Sequence, residues 1–207
     1  MDSKSYLSLN SWLQKSDQNY IEGRILWLNW LVNGASNLLW LALEQIIKIL
    51  LLQQKIDSLA NNASDLDELH SILDREGKKI GHDVHGLIEN INIKYPHIDI
   101  AKYEETLRKL QEYFYRRYVV RGGSSISMQM LDSVDELYFL LRNEVDPDVG
   151  LGTIDEIYIQ KKHNWGHPLA AFVYAYLQNN HFRTRKHKEI TYSTFDGSGR
   201  SYKEDGT

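Results

Sequence analysis

Apolar side chains recur at helical spacing over most of the chain, and the pattern predicts an all-α protein. Between residues 12 and 32, Trp12, Leu13, Tyr20, Ile21, Ile25, Leu28, Leu31 and Val32 mark one helical face, and Trp27 and Trp30 add a second. A helix with two apolar faces is wrapped by its neighbours or used in an interface. Asn33-Gly34 reads as its stop, and Ser36 as the cap of a second helix reaching about Gln54. So short a link predicts an antiparallel helical hairpin.

After a loop at residues 61–64, Ser64 with Asp67 or Glu68 opens a short helix carrying Leu66, Leu69, Ile72 and Leu73, with Gly77 as its end. Residues 78–83 are polar and flanked by glycine, which predicts a turn. Asp83 then caps a helix over 84–93, and Tyr95-Pro96 ends it. Tyr103, Leu107, Leu110 and Phe114 predict a helix over about 100–118. Ser127 opens another to about Glu144, with Leu131, Val134, Leu137, Tyr138 and Leu141 inward. A capping box at Thr153–Glu156 and Pro168 in a first turn predict further C-terminal helices. No internal repeat stands out. The expected architecture is an up-and-down bundle of four to five main helices with extra C-terminal helices, forming one domain over 1–180. A basic segment and a flexible, disordered tail follow over 181–207.

Composition narrows the chemistry. The 207 residues contain no cysteine, which excludes disulfides, thiolate zinc sites and cysteine nucleophiles, and only three prolines, which suits helices. The net charge of -4 rules out a bulk polycation, so nucleic-acid binding would need a local basic patch. The opening residues Met1-Asp2-Ser3-Lys4-Ser5 show no secretory pattern. The most apolar run, 38–52, is about a turn short of a membrane span, and its Glu44, Gln45 and Lys48 suit the exposed edge of a helix. The expectation is a cytoplasmic protein that does not engage membranes.

Four segments carry candidate chemistry. Arg116, Arg117 and Arg121 interleave with Tyr113, Tyr115 and Tyr118, so that guanidinium can fork onto phosphate while a ring stacks on a base. The turn with Lys78, Lys79 and His82 precedes free helix N–H groups, which can cradle phosphate, although Asp83 competes for them. His163 and His167 lack a third ligand, so neither metal nor cofactor is expected. The run His181–Lys188 is basic and suits either an anionic partner or a helix end.

The segment Ala42-Leu43-Glu44-Gln45-Ile46-Ile47-Lys48-Ile49-Leu50-Leu51, then Gly81-His82-Asp83-Val84-His85-Gly86-Leu87, then Tyr113-Phe114-Tyr115-Arg116-Arg117-Tyr118, resembles in order the HEPN superfamily of nucleotide-binding helical domains. The resemblance covers about residues 12–145. It implies a helical bundle, commonly dimeric, whose members include ribonucleases, toxins paired with nucleotidyltransferase partners, and non-catalytic nucleotide or RNA binders. Catalytic members carry an Arg, four to six residues, then a His near a helix end. Here no His follows Arg116, Arg117 or Arg121 at that spacing. The pair Arg75 and His82 has it but lies earlier in the chain, and Arg183 to His187 is one residue short. The expected function is therefore nucleotide or RNA binding without cleavage, with a toxin–antitoxin or defence-type system as its setting. A metal-independent endoribonuclease using Arg75 and His82, and an interaction scaffold, are the alternatives. The apolar excess of the first two helices predicts a homodimer through them.

Overall fold

A computed structural model describes residues 3–115, 128–145, 173–174, 178–183, 193–195 and 201–203. Among them run α1 (Ser3–Leu28), α2 (Val32–Gln53), α3 (Ile56–Asn61), α4 (Leu66–Ile80), α5 (Val84–Lys94), a 3-10 turn (Ile100–Tyr103), α6 (Glu104–Tyr115), α7 (Met128–Glu144) and α8 (Asn180–Arg183). The all-α bundle expected from the periodicity is the architecture observed. Ser193–Phe195 and Ser201–Lys203 (β1 and β2) pair antiparallel in the stretch where the sequence predicts a tail without regular structure.

Helix α2 is the axis of the bundle. Ile49, Leu50, Leu51 and Leu52 are buried in succession, and so are Leu39, Trp40, Leu43, Ile46 and Ile47, which no single apolar stripe would produce. Its neighbours surround it: α1 on one side, then α4, α5, α6 and α7. By length and apolarity α2 is the one described helix able to cross a membrane, and 78% of its most apolar window is buried within the fold. It is longer than the run at 38–52 suggested, because it begins at Val32. The close approach of α1 requires Gly23, where a Cβ would lie 2.9 Å from the Leu39 side chain.

Three boundaries differ from the sequence expectation. The first helix does not stop at Asn33-Gly34; it ends at Leu28, and Asn33-Gly34 lies inside α2. The stop is a Schellman turn. The Leu31 N–H donates to the Leu26 carbonyl at 2.9 Å, and the Trp30 N–H donates to Trp27 at 3.0 Å. The residue in the left-handed position is Trp30, at φ 64. Gly77 does not end α4 either. The helix runs through it because Trp12 packs over this position, its ring 3.3 Å from where a Cβ would be. Gly81, at φ 83, makes the stop instead. The N-cap of α4 is Asp65 rather than Ser64; Asp65 accepts from the Glu68 N–H at 2.9 Å, while the Glu68 carboxylate reaches back to the Ser64 N–H at 2.7 Å. Asp83 caps α5 as expected, accepting from the Gly86 N–H at 2.9 Å.

The seam between α1 and α7 is polar at its centre. Asp17, Tyr20 and Arg24 on α1 have the spacing of Asp135, Tyr138 and Arg142 on α7, so both helices carry Asp-x2-Tyr-x3-Arg. The two helices cross-pair. Tyr20 donates to Asp135 at 2.6 Å, and Arg24 Nη2 lies 2.7 Å from the same carboxylate. Tyr138 donates to Asp17 at 2.8 Å, and Arg142 Nε lies 3.2 Å from Asp17. The two phenol rings stack between the ion pairs, with centroids 4.1 Å apart and planes within 3°. All six side chains are buried. The hydrophobic pattern does not reveal this matched spacing. The C-terminal segment closes one end of the seam. Arg24 donates to the carbonyls of Tyr174 and Gln178, Asn179 donates to the Tyr20 hydroxyl at 2.6 Å, and Phe182 is fully buried against Tyr20, Tyr138 and Phe139. The packed core thus reaches Phe182, two residues past the expected boundary at 180.

Candidate functional site

Glu44 and Lys48 do not lie on an exposed edge. Both are buried on α2, where Glu44 Oε1 meets Lys48 Nζ at 2.6 Å and His82 Nδ1 at 2.6 Å. A buried carboxylate needs compensation, and this one has a lysine from its own helix and an imidazole from the turn between α4 and α5. Trp12 covers the neighbouring Gly77, and the Lys48 stem passes 3.9 Å from the position a Gly77 Cβ would take. The contact ties together two segments far apart in sequence, Ala42–Leu51 and Gly81–Leu87.

His82 sits half in and half out. Its side chain is 55% exposed although its Nδ1 is anchored. Its Nε2 has no hydrogen-bond partner among the described residues. When the Nδ1–H is donated to Glu44, Nε2 presents a lone pair to solvent; in the protonated ring it presents a donor. Gly81, in the left-handed region, lets the chain leave α4 abruptly enough to turn His82 back onto α2. The backbone carbonyl of His82 accepts a hydrogen bond from the Gln111 amide of α6, which brings that helix against the same turn.

The other predicted residues fall around this turn unevenly. Lys78 and Lys79 are on the last turn of α4, not in a loop, and each is paired at 2.5 Å with an acidic residue one turn earlier, Asp74 and Glu76. The Lys79 ammonium holds the Glu76 carboxyl below the usual range. Such exposed pairs are weak. Arg75 is exposed on α4, and no hydrogen bond or ion pair joins it to His82 among the described residues. The N–H groups at the start of α5 are partly taken by Asp83, whose carboxylate competes with any phosphate there. Tyr113 lies half-buried on α6, and Tyr115 is exposed beyond it, its ring edge-on to Phe114. Arg116, Arg117 and Arg121 lie outside the described residues, as do His163, His167 and His187. Among the described residues no group of three or more His, Asp or Glu could hold a metal.

Sequence reasoning placed His82 among the candidates but missed Glu44 as its partner and Lys48 as the second cation on that carboxylate. The available signal was two opposite charges at i and i+4 inside an otherwise apolar run, an arrangement that a central helix can tolerate only when the charges are paired. Comparison with known protein families, with curated proteins and with solved structures finds no match to this chain.

Proposed function

We propose that this protein is a HEPN-like, non-catalytic binder of RNA or nucleotide phosphate, with His82 at the centre of its site. The observation that carries the reading is the Glu44–His82 contact at 2.6 Å. It joins two of the resembling segments and holds an exposed imidazole in a fixed orientation. Gln111, five residues before Arg116, touches the same turn, so α6 leads from the imidazole toward the tyrosine–arginine segment. Lys78 and Lys79, in the last turn of α4 before His82, add cations held only by surface pairs. Phosphate contacts of this kind give affinity without sequence preference and weaken with salt.

The test is incubation of the purified protein with a labelled mixed RNA pool, read for retention and for cleavage. Retention without cleavage, weakened by His82→Ala and by the Arg116, Arg117 and Arg121 triple alanine variant, is the expected result. Equal retention by wild type and both variants would remove the proposal. A second reading follows from one feature of the same contact. A histidine whose Nδ1 is held by a carboxylate, with Nε2 free, is arranged as a general base. Cleavage lost in His82→Ala would favour a metal-independent ribonuclease. No retention at all would move the function to a protein-interaction module, in which a nucleotidyltransferase-type partner is one candidate.

A further inference from the structure

The connection between α1 and α2 holds a bulky residue in the left-handed region. It is three residues long, Asn29-Trp30-Leu31, and contains neither glycine nor proline. Each of its residues can continue a helix. In the hairpin, Trp30 is nevertheless forced to φ 64, the left-handed position that a Schellman turn ordinarily gives to glycine. A bulky residue there is strained. The turn also leaves Trp30 77% and Leu31 58% exposed, two adjacent large apolar side chains facing water. No Asp, Glu, Lys or Arg occurs from Ile25 to Leu43, so nothing charged surrounds them in sequence.

We infer that α1 exchanges between two copies of this chain, with the connection straightening so that α1 and α2 run on as one helix from Ser3 to Gln53. A short, strained hinge between two packed elements is the condition that invites such exchange. Straightening returns Trp30 to the right-handed region. It replaces the two turn bonds, Leu31 N–H to Leu26 and Trp30 N–H to Trp27, with ordinary helical bonds, and the contacts α1 makes with the rest of the fold are offered by the second copy. Lys4 reaches the carbonyls of Ala60 and Ala63, Asn19 meets Gln45, and the Asp17, Tyr20, Arg24 set meets Asp135, Tyr138 and Arg142. The two hinges cross at the dyad, where Trp30 and Leu31 of each chain face the other chain instead of water. The closed hairpin is the monomer, and the exchanged form is a dimer favoured at high concentration.

The absence of cysteine makes a direct test clean. One full-length chain carries Asn19→Cys and another carries Gln45→Cys, positions whose side chains meet at 2.9 Å across α1 and α2. The two are refolded together at high concentration and treated with a short thiol cross-linker. The expected product is a covalent 19–45 dimer, accompanied by a dimer of the wild type in light scattering. Trp30→Gly removes the strain from the hairpin in both chains and is expected to weaken dimerisation by about thirtyfold or more. A wild type that stays monomeric under these conditions overturns the inference. So does a dimer lacking the cross-chain 19–45 link, or one unaffected by Trp30→Gly. None of these readings depends on RNA binding, so the site at His82 stands or falls separately.

Discussion

The α1–α7 seam and the His82 turn use the same chemistry, a carboxylate meeting a cation and a ring, yet they are finished differently. In the seam both carboxylates and both phenols are closed in by partners: each Asp takes a Tyr and an Arg, and the rings stack between. At the turn the buried half is finished in the same way, with Glu44 taking Lys48 and His82, while the outer half of the imidazole faces water. Closure on all sides makes the first a structural device. One open valence on an otherwise fixed ring makes the second a place where chemistry can occur.

The largest effect should come from breaking the seam. Asp135→Ala leaves the Arg24 guanidinium buried without its counter-ion and the Tyr20 hydroxyl without its acceptor. The expected loss is about 3–5 kcal/mol, read from urea unfolding. A loss below about 1 kcal/mol would show that the network is looser than its distances indicate. RNA retention per folded molecule should be unchanged.

The next effect depends on pH. Burial, reinforced by the charge of Asp17, holds the Tyr138 phenol well above its ordinary value, and burial with Asp135 does the same for Tyr20. The folded protein therefore keeps two protons that the unfolded chain releases near pH 10. The folded state binds more protons than the unfolded state above that value, so stability must fall as pH rises through it. Below it the two states hold these protons alike and the contribution is flat. Tyr138→Phe should cost about 1–3 kcal/mol at neutral pH, through the bonds that Asp17 and Ser16 lose. It should also make the alkaline decline shallower, as unfolding midpoints taken on either side of about pH 10 would report.

These two regions also differ in how they were written into the chain. The helices were legible because periodicity reports burial. Leu131, Val134, Leu137, Tyr138 and Leu141 were expected inward on α7, and all five are buried. The seam was not legible in the same way, since an apolar pattern counts Tyr138 as hydrophobic and is silent on Asp135 and Arg142. Only comparison of the two octads, Asp17 to Arg24 and Asp135 to Arg142, exposes it. The stop of α1 was misplaced for a related reason. Asn33-Gly34 has the residue types of a helix end, but tertiary packing of α2 on α1 overrides them, and Trp30 takes the position that glycine would normally fill. At the turn, His82 and the Asp83 cap were readable from local sequence. Glu44 was not, because its partner lies 38 residues away.

Glu44→Gln belongs to both regions. It removes the charge that compensates Lys48 and weakens the anchor of His82. An expected cost of about 1–3 kcal/mol follows from leaving a buried ammonium facing a neutral amide. The His82 ring should lose its fixed orientation, visible as a change in its nitrogen chemical shifts. Unchanged shifts would mean that the carboxylate does not set the ring's geometry.

The smallest effect on stability should be the most telling for function. His82→Ala removes a ring that is more than half exposed. The Asp83 cap remains, and Gln111 bonds to the backbone carbonyl of residue 82, which alanine retains. The thermal midpoint should therefore stay within the range of an ordinary surface substitution, about 0.5 kcal/mol. If the open Nε2 contacts a phosphate, its loss should weaken RNA retention by about tenfold, the value of one charge-assisted hydrogen bond. A fall in stability without a fall in retention would assign His82 to the same closed class as the seam. Retention that falls while stability holds separates the two regions as the open valence requires.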